Sequence, residues 1–301
     1  EISECLVGSE MCIRDRRYSV ELDAITIPSF ISKRYGEKKP IIMGIASLII
    51  LVFFVPYVAS GLAAIGKLFN SLFGWNYMLS VIVGAIVIIS YTSVGGFSAV
   101  ATMDLIQSVI MTVALCVIVV FGIVQAGGMD AVLAHASSLP GFLSFGQTYN
   151  AASGQAEPYG LIRIVSMLAW GLGYFGMPHI IIRFMSLKSE KELRKSSVIG
   201  ISWTTIILIM SALTAIAGRL YLGEIEDSST VFITMVRRIF PALVSGLLLS
   251  AILSAAMSTA DSQLLAASSA FASDVYKPVI RKKASDSEMP VSYTHLTLPT
   301  N

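Results

Sequence analysis

Oxygen-bearing side chains crowd one apolar stretch of this chain, between residues 250 and 269, where Ser250, Ser254, Ser258, Thr259, Asp261, Ser262 and Gln263 stand among alanine, leucine, isoleucine and methionine. Hard cations such as sodium take oxygen ligands. The adjacent hydroxyls of Ser258 and Thr259 offer two, with a carbonyl one turn earlier as a third. Mid-helix hydroxyls also bond back to the carbonyl four residues before, so the spacing leaves both uses open. Asp261 adds an ionisable group, which inside an apolar run marks a cavity or pathway. Its place near the end of the run leaves simple solvation open as well.

Other polar interruptions follow the same logic. Trp170-Gly171-Leu172-Gly173-Tyr174-Phe175-Gly176-Met177-Pro178-His179 sets three glycines and a proline inside an apolar run. Glycine weakens a helix by ~1 kcal/mol and proline by ~3 relative to alanine, so local unwinding is expected here. Unwound backbone between half-helices can face a solute or ion at mid-membrane; a kinked helix whose small residues let neighbours approach is the alternative. Tyr91-Thr92-Ser93-Val94-Gly95-Gly96 ends another run and fits a helix stop as well as a binding feature. Asp104 opens the next run, where the helix dipole stabilises an acid. No H-E-x-x-H, G-x-S-x-G or Walker A motif occurs, so no catalytic residue is expected and the chain is not read as an enzyme.

These residues need elements to hold them. The chain has 301 residues, 55% hydrophobic and 13% charged, far from the roughly 25% charged residues of soluble domains. Apolar runs at 41–66, 78–103, 105–129, 164–182, 196–218 and 239–260 are each near or above the ~20 residues that cross a bilayer. An all-α, polytopic membrane protein with six spanning helices is the expectation, with the lipid bilayer as a partner and no nucleic acid. The two ends, 1–16 and 291–301, differ in composition from the stretch between them. Met11-Cys12-Ile13-Arg14-Asp15-Arg16 can be written ATG TGT ATA AGA GAC AG, and Val291-Ser292-Tyr293-Thr294-His295-Leu296 can be written GTC TCT TAT ACA CAT CT. The second reads as the reverse complement of the first, a GAG codon for Glu10 extends the match, and the shared word resembles a transposase sequencing adaptor. Both ends are therefore expected to be translated adaptor. Without 1–16 the net charge moves from +2 to +4 and Cys116 is the one cysteine left, so neither a disulfide framework nor a cysteine-rich metal site is expected.

Lys and Arg flanking spans favour the cytoplasm. Lys33, Arg34, Lys38 and Lys39 precede the first run; Arg183, Lys188, Lys191, Arg194 and Lys195 lie between the fourth and fifth; Lys277, Arg281, Lys282 and Lys283 follow the sixth. These segments are expected in the cytoplasm. The stretch 127–159 has no Lys or Arg and is expected outside, as a loop. Six crossings with both ends inside satisfy parity. The loop 219–238 is discordant, with three arginines beside Glu224, Glu226 and Asp227, and is expected to contain a short surface helix.

Asp23-Ala24-Ile25-Thr26-Ile27-Pro28-Ser29-Phe30, Tyr91-Thr92 with Gly95-Gly96-Phe97, the 170–180 block, Arg183-Phe184-Met185 and Ser250 to Thr259 together resemble the sodium:solute symporter family, and specifically its sodium/proline branch. The resemblance runs from about 17 to 290. It implies a LeuT-type inverted-repeat core, of which the six runs correspond to core helices 3 to 8, with core helices 1, 2, 9 and 10 missing. It further implies a sodium site at the Ala255 carbonyl and the Ser258 and Thr259 hydroxyls. Substrate contacts carry onto Trp170, Tyr174 and Pro178, and Tyr91 is implicated in coupling ion to substrate. Asp104 matches an acid that in some relatives serves a second sodium, and Asp261 joins it as a candidate for that role or for coupling. Two departures stand out: Met177 precedes Pro178 where proline carriers often have Gln, and Thr102-Met103 replaces the usual Trp-Thr before the acid. The first bears on substrate preference, the second on a second sodium. The implied function is sodium-coupled symport of a small amino acid, proline first, in the cytoplasmic membrane. Symport of another carboxylate such as pantothenate, or service as the symporter-like membrane module of a sensor protein, are the alternatives.

Overall fold

The structure, a computed structural model, describes residues 17–24, 26–174, 176–187, 189–223, 225 and 227–280. Both presumed adaptor segments lie outside the described residues. In chain order the elements are α1 (Ile27–Arg34), α2 (Ile41–Phe73), α3 (Tyr77–Gln125), α4 (Met129–Ser138), β1 (Gln147–Asn150), β2 (Gln155–Pro158), α5 (Leu161–Tyr174), α6 (Pro178–Met185), α7 (Glu190–Leu222), α8 (Val231–Ile239) and α9 (Ala242–Ser269). A π-helical segment, Ala270–Ile280, continues α9. Four helices, Ile41–Phe73, Tyr77–Gln125, Lys191–Leu222 and Ala242–Pro278, are long and apolar enough to cross a membrane. At 1.5 Å per residue, α2 alone is about 50 Å long against ~30 Å of hydrocarbon. Large apolar side chains such as Phe53, Val94 and Leu243 stay largely exposed, as lipid-facing residues do.

Both expected helix breaks are present. The second and third apolar runs both lie within α3, which Gly96, inside the second run, interrupts at φ 56° and ψ −153°. That conformation is essentially restricted to glycine, so the glycine pair sets the break. Asp104 therefore does not open a helix: it sits eight residues past the break, on the second arm, and its expected capping role is corrected. The apolar run resumes after Asp104, but the backbone turns where glycine permits it. The fourth run is likewise divided, with α5 ending at Tyr174 and α6 beginning at Pro178. Proline at the first turn costs no hydrogen bond, and Met177 before it is extended at φ −65° and ψ 122°.

The described residues form two compact units. The first draws on 17–109, 175–200 and 252–280. In it Ile65, Ile88, Ala256 and Ala260 make one buried cluster, flanked by Leu62 and Tyr91. Ile50, Phe54, Ala266, Ala267 and Ala270 make another, flanked by Met177 and Ile182. Small residues allow this contact: a Cβ on Gly61 would lie 3.4 Å from the Ala256 carbonyl oxygen. Thr26 caps α1 by accepting from the Ser29 N–H at 3.2 Å, and its hydroxyl donates to buried Asp274 at 2.7 Å.

The second unit draws on 110–174 and 201–251. Here α8 presses Met235 and Val236 into the interior. Gly122 and Gly218 make room for it, since a Cβ on either would come within 2.5 Å of Met235 or Val231. The short helix expected in 219–238 is present as α8, with one face apolar and buried and Arg237 and Arg238 exposed. Arg219, one of the discordant arginines, stacks over the Tyr149 ring at 4.9 Å. The stretch 127–159, expected as a loop, contains α4 and the antiparallel β1–β2 hairpin, with Gln147 opposite Pro158 and Asn150 opposite Gln155.

Candidate ion and substrate site

The sequence of α9 puts three oxygens in contact. Ser258 Oγ donates to the Ala255 carbonyl at 3.2 Å and Thr259 Oγ1 donates to the same oxygen at 3.0 Å. Back-bonding and ion binding share this geometry. The hydrogen bonds hold both hydroxyl oxygens beside the carbonyl, and rotation of the two O–H groups would turn the trio toward a cation.

One turn further along α9 lies a second polar group. Asp261 is fully buried. Tyr91 Oη donates to its Oδ2 at 2.5 Å, and Ser262 Oγ lies 3.2 Å from its Oδ1 and 3.2 Å from Asp104 Oδ2. Arg183 Nη2 donates to Ser262 Oγ at 2.5 Å and pairs directly with Asp104 Oδ2. Tyr91 on the first arm of α3, Asp104 on the second, Arg183 on α6 and Asp261 with Ser262 on α9 thus form one connected network. The alternative left open for Asp261, simple solvation at a helix end, does not hold: the side chain is buried and α9 runs on to Ser269. The apolar run seemed to stop at 260 because the continuation is rich in serine, yet Ser268 bonds back to the Leu265 carbonyl and so satisfies itself within the helix.

The chemistry of the donor set suits a monovalent cation. With both carboxylates ionised, two negative charges face one guanidinium, and a buried unpaired charge is costly. Ser262 has one proton and two carboxylates within reach, so one of them goes without it. Asp104 Oδ1 is buried without a hydrogen-bond partner, and so are both amide atoms of the fully buried Gln263. No group of three or more His, Cys, Asp or Glu suited to a metal occurs among the described residues. The oxygens present are carboxylate, hydroxyl and carbonyl, the set a hard cation takes.

The remaining expected residues distribute as follows. Pro178 starts α6, five residues before Arg183. Tyr174 lies at the end of α5 and is partly exposed. Trp170 is on α5, but its side chain lies outside the described residues. Sequence reasoning counted Ser262 and Gln263 among the polar residues of this run without giving either a role, and counted Arg183 as a cytoplasmic charge. The signal for Ser262 was its place beside an acid in an apolar run.

Comparison with known proteins bears on this arrangement. The model of the sodium:solute symporter family matches residues 6–298, extending into both end segments. The chain is 39% identical over 278 residues to the osmoregulated proline transporter OpuE of Bacillus subtilis, covering 89% of this chain and 53% of that protein. It is 36% identical over 271 residues to the high-affinity proline transporter PutP of Bacillus subtilis, covering 89% and 55%. It is 41% identical over 259 residues to sodium/proline symporter 2 of Staphylococcus saprophyticus, covering 85% and 49%. The chain thus spans about half the length of the curated relatives it matches. A solved sodium-coupled sialic acid symporter, in a substrate-bound outward-open state, shares the fold with a TM-score of 0.74 at 16% identity, over 97% of this chain and 64% of that one. The described helices, four of them long and apolar enough to cross a membrane, accordingly share the LeuT-like fold of that symporter, in a multi-pass membrane protein. The chain belongs to the sodium:solute symporter family.

Proposed function

We propose that this region serves sodium-coupled symport of a small amino acid, L-proline first, across the cytoplasmic membrane. One observation carries the reading: a network of Tyr91, Asp104 and Arg183 around the buried Asp261 and Ser262 lies one turn from the Ala255, Ser258 and Thr259 oxygens. Ala255, Ser258 and Thr259 supply three ligands to one sodium. Asp104, Asp261 and Ser262 supply carboxylate and hydroxyl oxygens to a second cation, or couple the first to substrate through Tyr91. The interruption between Tyr174 and Pro178 frees backbone groups that a zwitterion can use, and Trp170 and Tyr174 precede it in sequence as the substrate contacts that the family resemblance implies. Three relatives that carry proline in their names support proline over other carboxylates.

The test is uptake of labelled proline by the full-length protein in membrane vesicles, driven by an imposed sodium gradient. Accumulation with sodium and none with an equal potassium gradient is expected. Competition by excess pantothenate but not proline would overturn the substrate; uptake indifferent to sodium would overturn the coupling.

A further inference from the structure

Arg183 occupies the place a cation would take. Its Nη2 contacts Asp104 Oδ2 and Ser262 Oγ, the two groups that also face Asp261. We propose that the Arg183 guanidinium is a tethered cation that holds this position when no ion is bound, must withdraw for sodium to enter, and so sets how readily sodium leaves. The inference rests on reading the Asp104–Asp261–Ser262 cluster as an ion site.

Three features carry it. Two positive charges on the same two oxygens, Asp104 Oδ2 and Ser262 Oγ, repel strongly in a partly desolvated place, so the guanidinium and sodium compete for these oxygens. The arginine reaches in from outside: its side chain is 42% exposed where that of Asp104 is 11% exposed, so it can retreat without unbinding a core residue. A small cavity beside it, lined by His179, Arg183, Ser262 and Ser269 together with Phe97 and Leu265, offers a route. His179 Nδ1 and Ser269 Oγ are buried there without a hydrogen-bond partner. Arginine suits the role because its charge cannot be discharged. Its seat on α6, in the turns that follow Pro178, ties the tethered charge to the half-helix next to the interruption, so a shift of α6 on substrate binding moves the guanidinium with it.

The experiment measures sodium binding without transport, as the half-saturating sodium concentration for protection against thermal unfolding of the purified full-length protein in the absence of substrate. Arg183→Gln should lower that concentration roughly two- to fivefold, the scale of one half-exposed charge partner, whereas Asp104→Asn should raise it. An unchanged or raised value for Arg183→Gln, with Asp104→Asn still raising it, overturns the competition and leaves Arg183 a structural partner of Asp104. If Asp104→Asn also leaves sodium binding untouched, the ion-site reading itself fails and the inference with it. A second variant removes the question of folding: Arg183→Cys, in a background free of other cysteines, is converted to an aminoethyl or a methyl disulfide after purification. The cationic form should need more sodium than the neutral form of the same protein; equal requirements overturn the proposal.

Discussion

At the residue scale, Thr259 and Ser258 differ from ordinary back-bonding hydroxyls in sharing one acceptor, the Ala255 carbonyl. Thr259→Ala removes an oxygen, while Thr259→Ser keeps it, so the two substitutions should separate. A hydrogen-bond-scale interaction with a charged group is worth ~1.5 to 3 kcal/mol, which corresponds to a sodium requirement roughly 10- to 150-fold higher for the Ala variant. Proline affinity at saturating sodium should change much less. Uptake kinetics as a function of sodium check this, and unchanged sodium dependence in both Ser258→Ala and Thr259→Ala would return these hydroxyls to helix back-bonding. Tyr91 and Asp261 make a second test, because Tyr91 Oη is 2.5 Å from a carboxylate with no access to solvent. A double-mutant cycle of Tyr91→Phe and Asp261→Asn, read by thermal unfolding, should give a coupling of about 1.5 to 3 kcal/mol; additive effects would mean that the contact contributes nothing. Each of these residues was legible singly, as a polar group inside an apolar run. Their meeting was not, since 170 positions separate Tyr91 from Asp261 and no periodicity reports a contact between helices so far apart in sequence.

Elements were legible where backbone chemistry is local. Glycine pairs and proline announce a break by what their own φ and ψ permit, and both breaks, at Gly96 and between Tyr174 and Pro178, occur in such segments. Placement by hydropathy was less secure. The junction expected at Asp104 lies at Gly96, and α9 extends past the expected 260 because serine counts as polar in a hydropathy window yet satisfies its hydroxyl inside a helix. The buried face of α8 was hidden for another reason: it depends on notches at Gly122 and Gly218, on other helices. Gly96 supplies the prediction at this scale. Its φ of 56° with ψ of −153° disfavours any side chain, so Gly96→Ala should cost about 1 to 3 kcal/mol. Gly44, where a Cβ would meet nothing within 4 Å, is the control: Gly44→Ala should be neutral or slightly stabilising within its helix. Thermal unfolding of the two variants in detergent decides it, and equal stability would show that the break tolerates a side chain.

Across the whole molecule, the charges that flank the helices carry the information the helices themselves lack. Hydropathy fixes that a segment crosses, but only the distribution of Lys and Arg says which side each end faces. The family and the fold agree with the reading from motifs, and the orientation follows from the charges. It predicts that the β1–β2 hairpin faces outward and the start of α7 faces the cytoplasm. Ser153, in the exposed turn of the hairpin, and Lys191, exposed at the start of α7, provide matched reporters, because both positions are open to solvent and differ only in side. In a background without other cysteines, Ser153→Cys should react with an impermeant maleimide in intact cells. Lys191→Cys should react only after the membrane is permeabilised. Since 127–159 contains no Lys or Arg while 183–195 contains five, the opposite labelling pattern would place the basic segment outside. It would then overturn the orientation along with the assumption that these charges set it.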